Sequence, residues 1–252
     1  MSKEQEVQQN LAERLMAMGH MAASMAHEIR NPLGSMELFC TLLKKDLEEK
    51  PDLKNLADQM HEGIRSLNRI ISNCLEFTRD ASPRYSTVSD VPQFLENIVQ
   101  SARAKADQKK VIISFANQGE GSLEIDPYLI KQAFLNLILN AVDAVHHRIN
   151  SEGLGKFDPR VQVISDLRKE DQWIVLINDN GIGISKENLE NIFEPFYTTK
   201  EDGTGLGLAI THSLIAAHQG QISIQSELGE GTSITISLPR FAERKTEACD
   251  AE

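Results

Sequence analysis

Trp173-Ile-Val-Leu-Ile-Asn-Asp-Asn-Gly-Ile-Gly183 holds the reading that decides the fold. A short apolar run bounded by glycines predicts a strand over Trp173 to Asn178, closed by a turn. Asp179 then stands at the strand's end, where a carboxylate can accept a hydrogen bond from a ligand amine. Gly181 and Gly183 let the backbone after it come close to a neighbour or a ligand. Outward from this stretch, strands are predicted at Val111 to Ala116, Arg160 to Leu167, Gln221 to Ser226 and Ser233 to Leu238. Helices are predicted near Val91 to Asp107, Pro127 to His147, Lys186 to Ile192 and Leu206 to His218. Strands and helices alternating in this way indicate an α/β domain.

Two further glycine clusters fall inside that domain. Gly203-Thr-Gly-Leu-Gly-Leu208 precedes a helix, so its amides stand where anions bind if it is more than a tight turn. Gly229-Glu-Gly-Thr232, between two strands, is most simply a hairpin turn. In the helix after Pro127, Asn136 and Asn140 are four residues apart and share one face of the otherwise apolar LNLILNAV. Buried amides need partners, either in the core or as oxygen ligands of a Mg²⁺ that carries phosphates. No Walker A motif occurs, so an ATP site here is not of the P-loop kind.

Before Pro83 the pattern is different. Apolar residues at 11, 15, 18, 22, 25, 29, 33, 36, 40, 43 and 47 form a heptad seam, with a stutter around Ile29. Pro32 lies in the stutter, and a kink is expected just after Glu28. Pro51-Asp52 restarts a helix with a second stripe, Leu53, Leu56, Met60, Ile64, Leu67, Ile71 and Cys74, ended by Asp80-Ala-Ser-Pro83. The two helices predict an antiparallel hairpin, and two hairpins dimerising into a four-helix bundle bury what one leaves open. His27 falls at the heptad position facing away from the seam, as does His20. Only His27 has Glu28 beside it and Asn31 four residues on. A carboxylate next to an imidazole can accept its Nδ1 proton and leave Nε2 as a nucleophile.

The 252 residues suit one or two domains. A net charge of −11 argues against binding nucleic acid or anionic lipid. No run of about 18 apolar residues occurs, so no direct membrane insertion is expected. Three cysteines without CxxC spacing suggest neither a disulfide framework nor a zinc site, which fits a cytoplasmic location.

The order His27-Glu-Ile-Arg-Asn-Pro32, Asn136/Asn140, DNGIG, Ile192-Phe-Glu-Pro-Phe-Tyr-Thr-Thr-Lys200, GTGLGL and GEGT closely resembles the sensor histidine kinases of two-component systems, over roughly residues 10–240. The resemblance implies a dimerisation and phosphotransfer domain at 1–81, a linker at 82–87, an ATP-binding α/β sandwich of the Bergerat kind at 88–240, and a disordered tail at 241–252. It implies that His27 is phosphorylated, that Glu28 is the general base, and that Asn31 positions water when a partner is dephosphorylated. It places Mg²⁺ on Asn140 with Asn136 nearby and adenine recognition on Asp179, with Gly181, Gly183 and Thr232 close to the nucleotide. Phe193, Phe196 and Lys200 belong to a mobile lid over ATP, and Gly203, Thr204, Gly205, Leu206 and Gly207 complete the nucleotide-binding set. Implied partners are a second copy of the chain and the receiver aspartate of a separate response regulator. The H-box and lid look most like the subgroup signalling to sigma-54 activators.

Two rival readings remain. ATPases of the Hsp90, gyrase and mismatch-repair type and certain serine kinases share the fold, but they typically carry glutamate at the position of Asn136. An amide cannot accept a proton in that role. A degenerate kinase serving as a scaffold is the other, although every motif is intact. Only about 26 residues precede His27. Input is therefore expected from a docked signal-input protein, or the chain is the cytoplasmic piece of a longer one.

Overall fold

The computed structural model describes residues 29, 31–47, 50–78, 82–200 and 203–241. Its contacts divide the chain into Met1–Asp80 and Ala81–Glu252. In the first unit, α1 (residues 31–46) and α2 (Pro51–Thr78) are joined by a short turn. Pro51 suits the start of α2, where a missing amide hydrogen costs nothing, and Asp52 complements the helix dipole in the first turn. Leu33, Cys40 and Ile64 form a buried cluster. Lys44 Nζ meets Asp58 Oδ1 at 2.5 Å, and His61 Nε2 lies 3.8 Å from Glu37 Oε1, as an antiparallel hairpin requires. Met36, Leu43, Leu53, Leu56, Met60 and Leu67, all members of the two stripes, stay exposed. His20, His27, Glu28, the kink expected after Glu28 and the tail beyond Phe241 lie outside the described residues.

The second unit is a two-layer α/β sandwich. Its five-stranded sheet has the order β2-β4-β5-β7-β6, from β2 (Ile112–Gln118), β4 (Arg160–Asp166), β5 (Gln172–Asp179), β6 (Gln221–Glu227) and β7 (Gly231–Pro239). Only the β2–β4 pair is parallel. One face is covered by α3 (Val91–Gln108), α4 (Pro127–Glu152) and α6 (Gly207–Ala217). Trp173, Val175 and Ile177 of β5 point to that side and are buried, as are Ile234, Ile236 and Leu238 of β7. Trp173 packs edge-on to Phe134 at 5.3 Å and donates to Ser165 Oγ at 3.1 Å. α4 is long and apolar enough to cross a membrane by length and composition alone. Here it is the central core helix, burying Ile130, Phe134, Leu137, Ile138, Val142 and Val145. Each such side chain contributes about 1.5–3 kcal/mol.

The structure differs from the sequence expectations at several boundaries. β1 (Ser86–Val88) and β3 (Leu123–Ile125) pair antiparallel, and neither was expected. Three residues are too few to show alternation, and Ser86 and Thr87, read as linker, thus belong to the sandwich. α4 runs on to Glu152, held by Arg148 Nε–Glu152 Oε1 at 2.9 Å and ended by Gly153 at φ 96°. The short helix α5 (Lys186–Leu189) stops well before Ile192, because the chain turns repeatedly towards Pro195.

Candidate functional site

α4 is the spine of the site. Asp126 caps its start, accepting from the amides of Tyr128 and Leu129 at 3.0 and 3.2 Å. The regular helix that follows sets Asn136, Asn140 and Asp143 along one side. Asn136 Nδ2 donates to Thr211 Oγ1 of α6 at 2.9 Å, and that hydroxyl donates to the Gly207 carbonyl at 2.9 Å. A β-carbon on Gly207 would lie 2.8 Å from Asn136 Oδ1, so this glycine lets the first turn of α6 close on the amide. Leu206 caps α6 without a side-chain hydrogen bond. The Leu206 side chain, placed in the nucleotide-binding set by the resemblance, is buried in the core, leaving only its backbone to face a ligand.

The turn after β5 packs on α4 one turn further along. Ile182 N donates to Ala144 O at 3.3 Å, and a β-carbon at Gly181 would sit 2.6 Å from the Ala144 carbonyl carbon. Asp179 Oδ1 accepts from Gly181 N at 2.8 Å, and Asp179 pairs with Thr232 across the β5–β7 ladder. Withdrawal from water pushes the Asp179 carboxyl up to about 6, against the pull of the Gly181 and Thr232 amides. Gly229-Glu-Gly-Thr232 is indeed the β6–β7 hairpin, and it also serves the site. Ser226 Oγ joins Gly231 O at 2.8 Å, Thr232 Oγ1 at 2.9 Å and Ile184 N at 2.8 Å, tying the hairpin to the Gly183 turn. An open cavity of about 430 Å³ at this end of the sheet is lined by Asp179, Ser226 and Thr232 together with Asn178, Gln225 and Ser233 of the opposite face, and by no residue of α4 or α6.

Ile192 to Lys200 spans the gap between α5 and α6. Tyr197 OH donates to Asn188 Oδ1 at 2.7 Å, and Phe193 packs on the His212 ring at 5.0 Å. Phe196 N donates to Gly205 O at 3.0 Å, and Phe196 itself has φ 69°. Gly205 at φ 67° would bring a β-carbon into the Phe196 backbone, so only glycine lets the two loops meet. Gly203 N donates to Lys200 O at 3.1 Å, and Leu206 N to Thr204 Oγ1 at 3.4 Å. Lys200 Nζ donates to Asn140 Oδ1 at 3.0 Å and meets Asp143 Oδ2 at 3.2 Å.

Asp143 was not foreseen. Lys105 Nζ of α3 at 3.2 Å and Lys109 Nζ, from the residue capping its C-terminus, at 2.8 Å also converge on it. Burial would raise its carboxyl, but the Lys109 hydrogen bond and the charges of Lys200 and Lys105 outweigh that and hold it at about 2. The i, i+4 spacing of Lys105 and Lys109 was visible, but their partner lay 34 residues beyond Lys109. His218 was also unread. It is buried, its ring bonded to Leu214 O through Nδ1 at 2.8 Å and to Asp126 N through Nε2 at 3.1 Å. Asn31 is exposed on α1, in the other unit.

Among the described residues no group of three His, Cys, Asp or Glu could hold a metal ion. The amide oxygens of Asn136 and Asn140 do suit a hard divalent cation that takes its remaining oxygens from phosphates and water. The lysine ammonium on Asn140 Oδ1 indicates that a cation is accepted there.

Two family models match the chain in tandem. The His Kinase A (phospho-acceptor) domain matches residues 17–83, and the histidine kinase-, DNA gyrase B- and HSP90-like ATPase domain matches residues 125–242. The chain belongs to the two-component histidine kinases. Among curated histidine kinases, the sensor histidine kinase ZraS of Salmonella typhimurium is 35% identical over 236 residues, covering 92% of this chain and 48% of ZraS. The signal transduction histidine-protein kinase AtoS of Escherichia coli K12 is 35% identical over 228 residues, covering 90% of this chain and 36% of AtoS. The chain thus spans half or less of these relatives. Histidine kinase ThkA, solved in complex with the response regulator TrrA, aligns with TM-score 0.61 at 25% identity over 94% of this chain and 66% of that one. Full-length ShkA in complex with AMPPNP shares the fold at TM-score 0.73 and 24% identity, over 88% of this chain and 46% of that one.

Proposed function

We propose that this histidine kinase core binds ATP with Mg²⁺, moves the γ-phosphoryl group to Nε2 of His27, and passes it to an aspartate of a separate response regulator. The observation that carries the reading is the state of Asn136. It is a neutral amide committed to Thr211, at the position where the hydrolysing relatives of the fold typically carry a glutamate that activates water. Phosphoryl transfer needs positioning and charge neutralisation more than covalent chemistry from the protein. In this reading Asp179 accepts from the adenine amine, with Gly181, Gly183 and Thr232 around the base. Gly203, Thr204, Gly205, Leu206 and Gly207 offer backbone to the phosphates, and Phe193, Phe196 and Lys200 lie over the nucleotide. Asn136 and Asn140 would hold Mg²⁺, which would supply charge neutralisation for the phosphate oxygens. As the bond from the γ-phosphorus to the β,γ-bridging oxygen breaks, a bond to Nε2 of His27 forms, and Glu28 takes the Nδ1 proton. Asn31 positions water for dephosphorylation of the regulator.

The protein acts as a homodimer through its helical hairpins, because the stripe residues exposed on one hairpin need a second to cover them. ATP supply places this kinase core in the cytoplasm, with input from a signal-input protein or segment. Resemblance of the H-box and lid favours a sigma-54 activator as the regulator's class.

Incubation with γ-labelled ATP and Mg²⁺ tests the reading on wild type, His27→Ala and His20→Ala. Acid-labile, base-stable label that is lost only in His27→Ala is the expected result. Release of free phosphate without labelled protein, unchanged in His27→Ala, would establish an ATPase instead.

A further inference from the structure

The geometry points to Lys200 as a tethered competitor for the cation site: its ammonium bridges Asn140 and Asp143 until a divalent cation arrives with a nucleotide and releases it. This rests on the nucleotide reading above and goes beyond it, because it adds Asp143 to the site and gives Lys200 a role in the nucleotide-free protein. The ammonium is 3.0 Å from an amide oxygen and 3.2 Å from a carboxylate oxygen one helical turn apart on α4. Two hard oxygens of that kind, one of them charged, are what a divalent cation seeks. An ammonium and a metal ion cannot occupy the same place between them. Asn140 is therefore unavailable to the metal while Lys200 holds it.

Lys109 and Lys105 make the exchange workable. They meet the other oxygen of Asp143, Oδ1, at 2.8 and 3.2 Å, from the C-terminal end of α3 and its cap, and stay there when Lys200 leaves. The carboxylate is therefore already compensated on one side, which limits its repulsion of an incoming phosphate. It still presents Oδ2 to whichever cation sits beside Asn140. The same contact acts on the segment between α5 and α6. Lys200 Nζ fastens its C-terminal end to α4, while Tyr197 and Phe196 fasten its middle to α5 and the Gly205 loop. Displacing the ammonium undoes the attachment to α4 alone.

Lysine acetylation of the full chain, read residue by residue by mass spectrometry, tests this without measuring kinase activity. Without nucleotide, Lys200 should acetylate roughly two- to fivefold faster in Asp143→Asn than in wild type, as expected on loss of one solvent-accessible ion pair. Mg·ADP should raise the wild-type rate by a similar factor, whereas ADP with a chelator should leave Lys200 protected. In Lys109→Met, which strips a lysine from the cluster but leaves the bridge, Lys200 should remain protected. Equal rates in wild type and Asp143→Asn, release by metal-free ADP, or release in Lys109→Met as large as in Asp143→Asn would each overturn the proposal. Calorimetry of Mg·ADP binding runs alongside as the separate check on the nucleotide reading. No heat of binding in any variant would overturn that reading, while the Asp143→Asn comparison without nucleotide would still decide whether the latch exists.

Discussion

Asp179 ties affinity to pH through the cost of burying its charge. Its carboxyl, pushed up to about 6 by withdrawal from water, binds a proton more tightly in the folded chain than in the unfolded one. Stability therefore falls as pH rises from about 4 to about 6, and the charged form at neutral pH costs on the order of 3 kcal/mol. A ligand amine that donates to the carboxylate recovers part of that cost. Mg·ADP affinity should accordingly fall as pH drops through about 6, and Asp179→Asn should weaken binding and flatten the profile, as calorimetry at pH 5.5 and 7.5 would show. His218 has the opposite sign. Burial pushes its imidazole down, so the folded chain keeps it neutral, and stability is lost as the unfolded histidine gains its proton below about 6.5. His218→Ala should cost about 2–4 kcal/mol in urea unfolding, since it opens a cavity and strands the Asp126 amide.

The same logic of close neighbours decides what α4 and α6 can tolerate. Gly207→Ala improves helix propensity in α6 but drives a methyl group into Asn136. We expect Mg·ADP affinity to drop about tenfold while the melting temperature stays within roughly 2 °C, two readouts that generic destabilisation would move together. These elements were legible to different degrees. Long periodic segments such as α3 and α4, and apolar runs such as β5, declare themselves through local pattern, whereas the paired amides at 136 and 140 suited core hydrogen bonds and metal ligation alike. β1 and β3 did not, because a three-residue strand is defined by a partner far away in the chain. The partners of Asn136, Asp143 and His218 escaped for the same reason. Thr211, Lys109 and Asp126 are distant in sequence, and nothing in residue type alone assigns them.

Taken whole, the chain joins two units with different sources of stability. The sandwich has its own core, whereas the hairpin leaves Leu56, Met60 and Leu67 at 56, 58 and 49% exposure. Dilution should therefore lower the melting of the hairpin and leave the sandwich transition in place. Leu56→Glu should reduce the mass seen by light scattering without shifting the sandwich melt. The parallel pairing of β2 with β4 carries a consequence for how the molecule is made. Every other neighbouring pair in the large sheet is antiparallel, but β2 meets β4 only after β3 and all of α4 have been traversed. Loop-closure entropy makes such a pairing slow unless the intervening chain is already structured. α4 is thus the natural early-forming scaffold of the sandwich. Substitutions along its buried face should retard refolding in stopped-flow experiments more than they speed unfolding, so the helix that carries Asn136 and Asn140 would also govern how fast a newly made kinase matures.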